Sequence, residues 1–233
     1  MTLLGIETAT AVCGVALVRD GAVLAERTVE ERYAHAEKLF GFLDDVLESS
    51  GVQLRELQGI AVSIGPGSFT GLRIGLSVAK GLHVATGIPV IPVPTLEALA
   101  HNAAEEVRTA GIHNILAVLD ARREEVYWQL FALIPSGIRA ATDVSDALMV
   151  RLPERLPAGS LAITGEARTA VASVLTREGV DASRLFLVSE ANARCSAVAV
   201  ARCGAESLAE GATYDVDALE PRYIKEFFLR TPE

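Results

Sequence analysis

Leu3 to Ile6 is a short apolar run that stops at Glu7. Thr8-Ala9-Thr10 reads as a turn, Val12 to Arg19 as a strand, Asp20-Gly21 as a two-residue hairpin turn, and Ala22 to Thr28 as the partner strand. Three strands joined by tight turns make an antiparallel meander. A helix follows from about Ala36 to Ser50, stopped by Gly51. Its apolar residues are Leu39, Phe40, Phe42, Leu43, Val46 and Leu47. At 100° per residue they cover an arc of roughly 160°, wider than the ~100° stripe of an ordinary surface helix. Either the helix is sunk deeply into its own core, or part of the arc meets another chain.

Gly59 to Ile64 reads as a buried strand, Phe69 to Thr86 as a helix, and Pro89 to Val93 as a further strand. Thr95 is placed to cap a helix reaching about Ala110, with Glu97 near its positive end. The order so far is β-β-β-α-β-α-β-α. The second half is looser. Strands are expected at Ile115–Asp120, Val126–Ala132, Ile138–Thr142, Leu161–Thr164 and Leu185–Val188, and helices near Arg168–Arg177 and Ser196–Glu210. Pro153 and Pro157 mark irregular chain. Two α/β domains with one plan, residues 1–107 and 108–233, are the simplest architecture, with a soft boundary and a tail free to pack back on the first domain.

The 233 residues allow one large domain or two small ones, and 50% hydrophobic with 22% charged residues is globular composition. A formal net charge of -9 argues against a grip on nucleic-acid phosphates by this chain alone. Cys13, Cys195 and Cys203 are scattered and odd in number, which fits a reducing compartment. No apolar run reaches the roughly 18 residues of a membrane span, and the N-terminus lacks a basic leader. The expectation is a cytoplasmic protein.

Gly65-Pro66-Gly67-Ser68-Phe69-Thr70-Gly71 joins a strand to a helix, where backbone N–H groups favour anions. It fails the dinucleotide fingerprint at Thr70, and no lysine stands where a Walker loop needs one. The glycines serve either a tight turn with close helix–sheet packing or a contact with an anion or partner. Down the helix, Gly71, Gly75 and Ala79 share one side, Leu72 and Leu76 flank it, and Ile74 and Val78 lie on the far flank. One side faces the chain's own sheet, and the other is open to a second subunit. His35, His83, His101 and His113 show no i, i+4 metal spacing, and His35 reads as a solvated loop residue. No G-x-S-x-G elbow is present, though spacing leaves a Ser-His-Asp triad open. Asp120 ends a strand and is either a site carboxylate or a partner for Arg122 or Arg123. Glu7 ends the first strand and has no evident acidic partner for a metal.

Several segments together are specific: Gly5-Ile6-Glu7-Thr8-Ala9-Thr10, the run from Gly65 through Arg73 to Gly75, Ala79-Lys80-Gly81-Leu82, Pro92-Val93-Pro94-Thr95-Leu96, Asp120-Ala121-Arg122-Arg123-Glu124-Glu125-Val126-Tyr127, and Pro221-Arg222-Tyr223-Ile224. With these the chain resembles the bacterial TsaB (YeaZ) family over essentially its whole length. The resemblance implies the two-domain α/β fold of the actin, sugar-kinase and Hsp70 ATPase (ribonuclease H-like) superfamily, each domain a mixed sheet with helices. It implies a non-catalytic part in forming N6-threonylcarbamoyladenosine at tRNA position 37, in tRNAs reading codons that begin with A. The transferase of that pathway is TsaD, and TsaE is an ATPase that joins the pair.

In the TsaD family a metal-binding His-x-x-x-His lies in the segment that corresponds to Val93–Leu99, where Thr95 and Leu99 replace both histidines. Nucleotide-binding members use an Asp and a Gly in the first hairpin, whereas Glu7-Thr8-Ala9-Thr10 stands here. The resemblance therefore implies no metal, no cofactor and no catalytic residue of its own, with nucleotide only in the complex with TsaD and TsaE. The alternatives are an active ATPase or sugar kinase of the superfamily, or a metalloprotease. The expected partners are TsaD, TsaE through it, a second copy when alone, and tRNA only indirectly. The interface expected is a helical bundle using Leu39, Phe40, Leu43, Leu47, Gly71, Leu72, Arg73, Gly75, Leu76 and Lys80.

Overall fold

The structure, a computed structural model, describes residues 1–31 and 35–225. The first sheet is built from β1 (Thr2–Glu7), β2 (Val12–Arg19), β3 (Ala22–Glu30), β4 (Gly59–Gly65) and β5 (Val90–Pro94), in the order β3-β2-β1-β4-β5. The meander β1–β3 is antiparallel, and β4 and β5 add parallel to β1. The second sheet contains β6 (Asn114–Asp120), β7 (Glu125–Ile134), β8 (Gly137–Ala140), β9 (Ser145–Leu148), β10 (Leu161–Thr164) and β11 (Leu185–Leu187). Its order is β11-β10-β6-β7-β8, with β9 on β7, and again one antiparallel side joins one parallel side. Two mixed sheets of one plan are the α/β architecture that the resemblance implies.

Among the described residues, five α-helices cover the sheets: α1 (His35–Ser50), α2 (Phe69–Thr86), α3 (Thr95–Thr109), α4 (Arg168–Arg177) and α5 (Ala197–Ala209). α2 has the limits its sequence sets, because Ser68 Oγ accepts the Gly71 N–H and Gly87 closes the helix with φ 76°. α1 and α2 bury one face of the first sheet, where Leu4, Ile6, Leu17 and Val62 meet Leu39, Leu43, Val46 and Leu76. The opposite face carries α5. A Cβ at Gly5 would lie 2.0 Å from the Ala197 carbonyl oxygen, so strand and helix backbones touch there. Thus α5, late in the chain, packs on the first sheet. The segment after it stays on that half. Asp217 accepts from Lys80 Nζ at 3.0 Å, and the Arg222 N–H donates to Ile64 at 2.6 Å.

Three local expectations change. Thr95 is not a cap: Pro94 holds that position, and the Thr95 hydroxyl is buried without a partner. A 3-10 stretch, Met149–Arg155, takes in Pro153, where irregular chain was expected, and β9 before it was not expected. His35 is not solvated. It opens α1, buried, with Nε2 3.0 Å from the Thr10 carbonyl and 3.2 Å from that of Val12, so its N–H ties the helix to the β1–β2 turn.

Candidate partner interface

α1 and α2 lie side by side, and their rotation decides which apolar residues remain outside. Leu39, Leu43 and Val46 point at the sheet, which leaves Phe40 60% exposed on the other side of α1. On α2, Leu72, Leu76 and Ala79 are buried, and Phe69, Arg73, Ser77 and Gly81 form the outer stripe at i, i+4 spacing. Between the two helices runs a groove of about 740 Å³, lined by Ala36, Phe40, Phe69, Arg73, Ile74 and Gly81 among others. The Arg73 guanidinium caps one end. Its Cζ sits 3.8 Å from the Phe69 ring centroid, and its Nε donates to the Tyr223 hydroxyl at 3.0 Å. The Phe69 and Tyr223 rings are 5.1 Å apart.

The expected interface set therefore divides. Phe40 and Arg73 lie at the groove. Leu47 is half-buried against the chain's own core, and Lys80 reaches the Asp217 carbonyl. Leu39, Leu43, Leu72 and Leu76 are core residues of this chain, so they present nothing to a partner. The small-residue side of α2 is also internal. A Cβ at Gly67 would stand 2.2 Å from the Ala9 carbonyl oxygen, one at Gly71 2.0 Å from that of Thr8, and one at Gly75 2.3 Å from Thr8 Oγ1. The glycines admit the β1–β2 turn, not another subunit. Ile74, on the flank expected to be far from the contact, is instead part of the groove. The expectation of burial on more than one side of α2 is not met: its buried residues fall on one arc, and the outer stripe is exposed.

This packing also answers the phosphate question at the Gly65–Gly71 junction. The Ser68 N–H donates to the Ala9 carbonyl at 2.6 Å, and the Gly71 N–H to Ser68 Oγ at 3.2 Å. Backbone carbonyls of residues 8 and 9 stand against the start of α2, where a phosphate would need space and free donors. The residues present do not fit a nucleotide phosphate at that place. Gly65, joined to Pro66 by a cis peptide bond, has φ 117°. A Cβ there would lie 2.6 Å from the Arg222 carbonyl oxygen, so this corner too is filled by the chain itself.

Glu7 is fully buried at the end of β1. It accepts from Ser63 Oγ and, at 2.6 Å, from the Ala9 N–H. Burial pushes its carboxyl up to about 7, against the lowering effect of these hydrogen bonds. The same desolvation raises the Cys13 thiol to about 11 and holds Cys195 and Cys203 well above the usual range, so all three are inert, free thiols. Thr95 and Leu99 are buried on α3. Among the described residues, no group of three His, Cys, Asp or Glu side chains is arranged to hold a metal ion.

Asp120 and its neighbours form the turn between β6 and β7. Asp120 Oδ1 accepts the Arg122 N–H at 2.9 Å, so the carboxylate shapes the turn instead of pairing a guanidinium. Arg122, Arg123 and Glu124 have φ of 65°, 54° and 64°. Three consecutive non-glycine residues in the left-handed region are costly, about 1–3 kcal/mol each. The turn is held by Ala121 N–H to Glu125 O at 2.9 Å and by Met149 N–H to Glu124 O at 3.0 Å. Lys225 Nζ donates to Ala121 O at 2.9 Å and pairs with Glu125, beside the half-buried Tyr127.

The family model "TsaD: tRNA N6-adenosine threonylcarbamoyltransferase" matches residues 23–213. A crystal structure from Pseudomonas aeruginosa, described as an uncharacterized protein with similarity to peptidase YEAZ, superposes with a TM-score of 0.79 at 28% identity, covering 96% of this chain and 99% of that one. A second structure, YeaZ from the same organism, gives 0.77 at 28% identity over 95% and 99% of the two chains. The chain belongs to the TsaB/YeaZ family. The tRNA threonylcarbamoyladenosine biosynthesis protein TsaB of Escherichia coli (strain K12) is 40% identical over 138 residues, 59% of this chain and 58% of that relative. The TsaB of Bacillus subtilis (strain 168) is 35% identical over 131 residues, 56% and 55% of the two. The match thus spans little more than half the length of these curated family members.

Proposed function

We propose that this protein is a non-catalytic subunit in forming N6-threonylcarbamoyladenosine at tRNA position 37, in tRNAs that read codons beginning with A. Its task is to bind a TsaD-type transferase through the α1–α2 groove. TsaE joins through that pair, and tRNA is held by the complex and not by this chain alone. The observation that carries the reading is an apolar groove with Phe40 on its rim, in a chain whose relatives include proteins named for this biosynthesis. Burying aromatic and aliphatic side chains there contributes roughly 1.5–3 kcal/mol each before the costs of association.

The junction that would hold a nucleotide phosphate is packed with the Thr8 and Ala9 carbonyls, which supports a subunit without a cofactor of its own. The Thr95 and Leu99 side chains support the absence of a metal site, and with it the absence of protease chemistry. In isolation the exposed groove is free to pair with a second copy, and in the cell the protein works in the cytoplasm.

The role is tested by depleting the protein in its own cell and measuring threonylcarbamoyladenosine in digested tRNA by mass spectrometry. The modified nucleoside should fall and return with the wild-type gene. An unchanged level in depleted cells contradicts the assignment.

A further inference from the structure

Arg122 and Arg123 occupy backbone positions that glycine and asparagine fill at far lower cost. An Asn-Gly pair in their place adopts the same left-handed geometry with less strain, Glu124 keeping its own. Yet neither guanidinium forms a hydrogen bond or an ion pair within the described residues, and both are exposed. The strain is held in place by contacts of the neighbouring backbone, not of these side chains. Lys225 clamps Ala121 and Glu125, and Asp120 and Met149 fix the two flanks. Two bulky cations are thus kept in an expensive conformation that no hydrogen bond or ion pair among the described residues uses.

Their position suggests what they serve. Tyr223, at the Arg73 end of the groove, and Lys225, under the turn, are two residues apart, a span of at most about 7 Å. The segment 223–225 therefore touches both the groove end, through Tyr223, and the arginine turn, through Lys225. We propose that Arg122 and Arg123 are a second, ionic anchor for the protein partner seated in the α1–α2 groove, meeting carboxylates on that partner. This rests on the partner-binding reading above. Guanidinium forks suit paired, bidentate carboxylate contacts at an interface. RNA fits less well, because Asp120 and Glu124 flank the pair and the chain carries a net charge of -9.

Two double variants test this: Arg122→Asn with Arg123→Gly, and Arg122→Glu with Arg123→Glu. Binding of each to the purified TsaD-type transferase of the same cell is measured by calorimetry at low and high salt. The Asn/Gly variant should melt about 2–4 °C higher for each kcal/mol of strain relieved, yet bind at least about tenfold more weakly at low salt, with the difference shrinking as salt screens the contact. The charge-reversed variant should bind more weakly still. If both bind as wild type while Phe40→Asp abolishes binding, the arginine anchor is wrong and the groove reading stands. If Phe40→Asp also binds normally, the groove reading itself fails. A lower melting temperature for the Asn/Gly variant gives the arginines a structural role and overturns the proposal. So does unchanged transferase binding with weaker tRNA binding by the complex, which assigns the pair to RNA.

Discussion

The Cα of Gly71 faces the carbonyl of Thr8 so closely that a Cβ would stand 2.0 Å from that oxygen. This approach docks the start of α2 on the β1–β2 turn and turns the Phe69–Arg73–Gly81 stripe outward. Gly71→Ala should therefore displace the helix and cost about 1–3 kcal/mol of stability, as overpacking does. Gly81 is the control. A Cβ there meets nothing within 4 Å, so Gly81→Ala should stabilise the helix by about 0.5–1 kcal/mol. Urea midpoints of the two variants check the opposite signs.

The contrast also shows what was legible in the sequence. Ser68 and Gly87 bound α2 because capping is local chemistry, and the two α/β halves follow from the alternation of apolar runs. The face of α2 that turns inward was not legible. Gly71 and Gly75 suit a neighbouring subunit as well as the chain's own turn, and only the fold brings Thr8 to them. The wide arc of α1 resolved both ways, with Leu39 and Leu43 inside and Phe40 outside. The left-handed Arg122–Glu124 turn left no trace, since its residue types are the wrong ones for its backbone. Tyr223 carried a motif but gave no sign that it meets Arg73, 150 residues earlier.

Glu7 should make stability pH-dependent. Its carboxyl is held near 7 when folded against about 4.5 when free. Below both values the group is protonated in both states and costs nothing. Between them the unfolded chain ionises first and the folded state holds the extra proton, so stability falls as pH rises from about 4.5 to about 7, then levels off. The loss is of the order of 3 kcal/mol. Glu7→Gln keeps an acceptor for the Ala9 N–H and removes the charge. The stability difference between variant and wild type should be small at acid pH and favour the variant by pH 8. Parallel curves across that window contradict the assignment.

Purified alone, the protein should retain no stoichiometric zinc, bind ATP weakly and turn it over at background rates, and hold tRNA without nanomolar affinity at physiological salt. Metal analysis, nucleotide titration and filter binding read the three separately. One equivalent of a transition metal, or steady ATP turnover by this chain, would favour the protease or kinase reading.

Leu43→Asp should unfold the protein, because Leu43 is buried between α1 and the sheet and an unpaired carboxylate there has no partner.

The central claim is that the α1–α2 groove seats the transferase, and Phe40 tests it most directly, since it is exposed and on the rim. Phe40→Asp should keep its circular dichroism spectrum and melting temperature, and lose co-elution with the purified TsaD-type transferase in gel filtration at concentrations where wild type forms the complex. A folded Phe40→Asp variant that still co-elutes stoichiometrically would contradict the account.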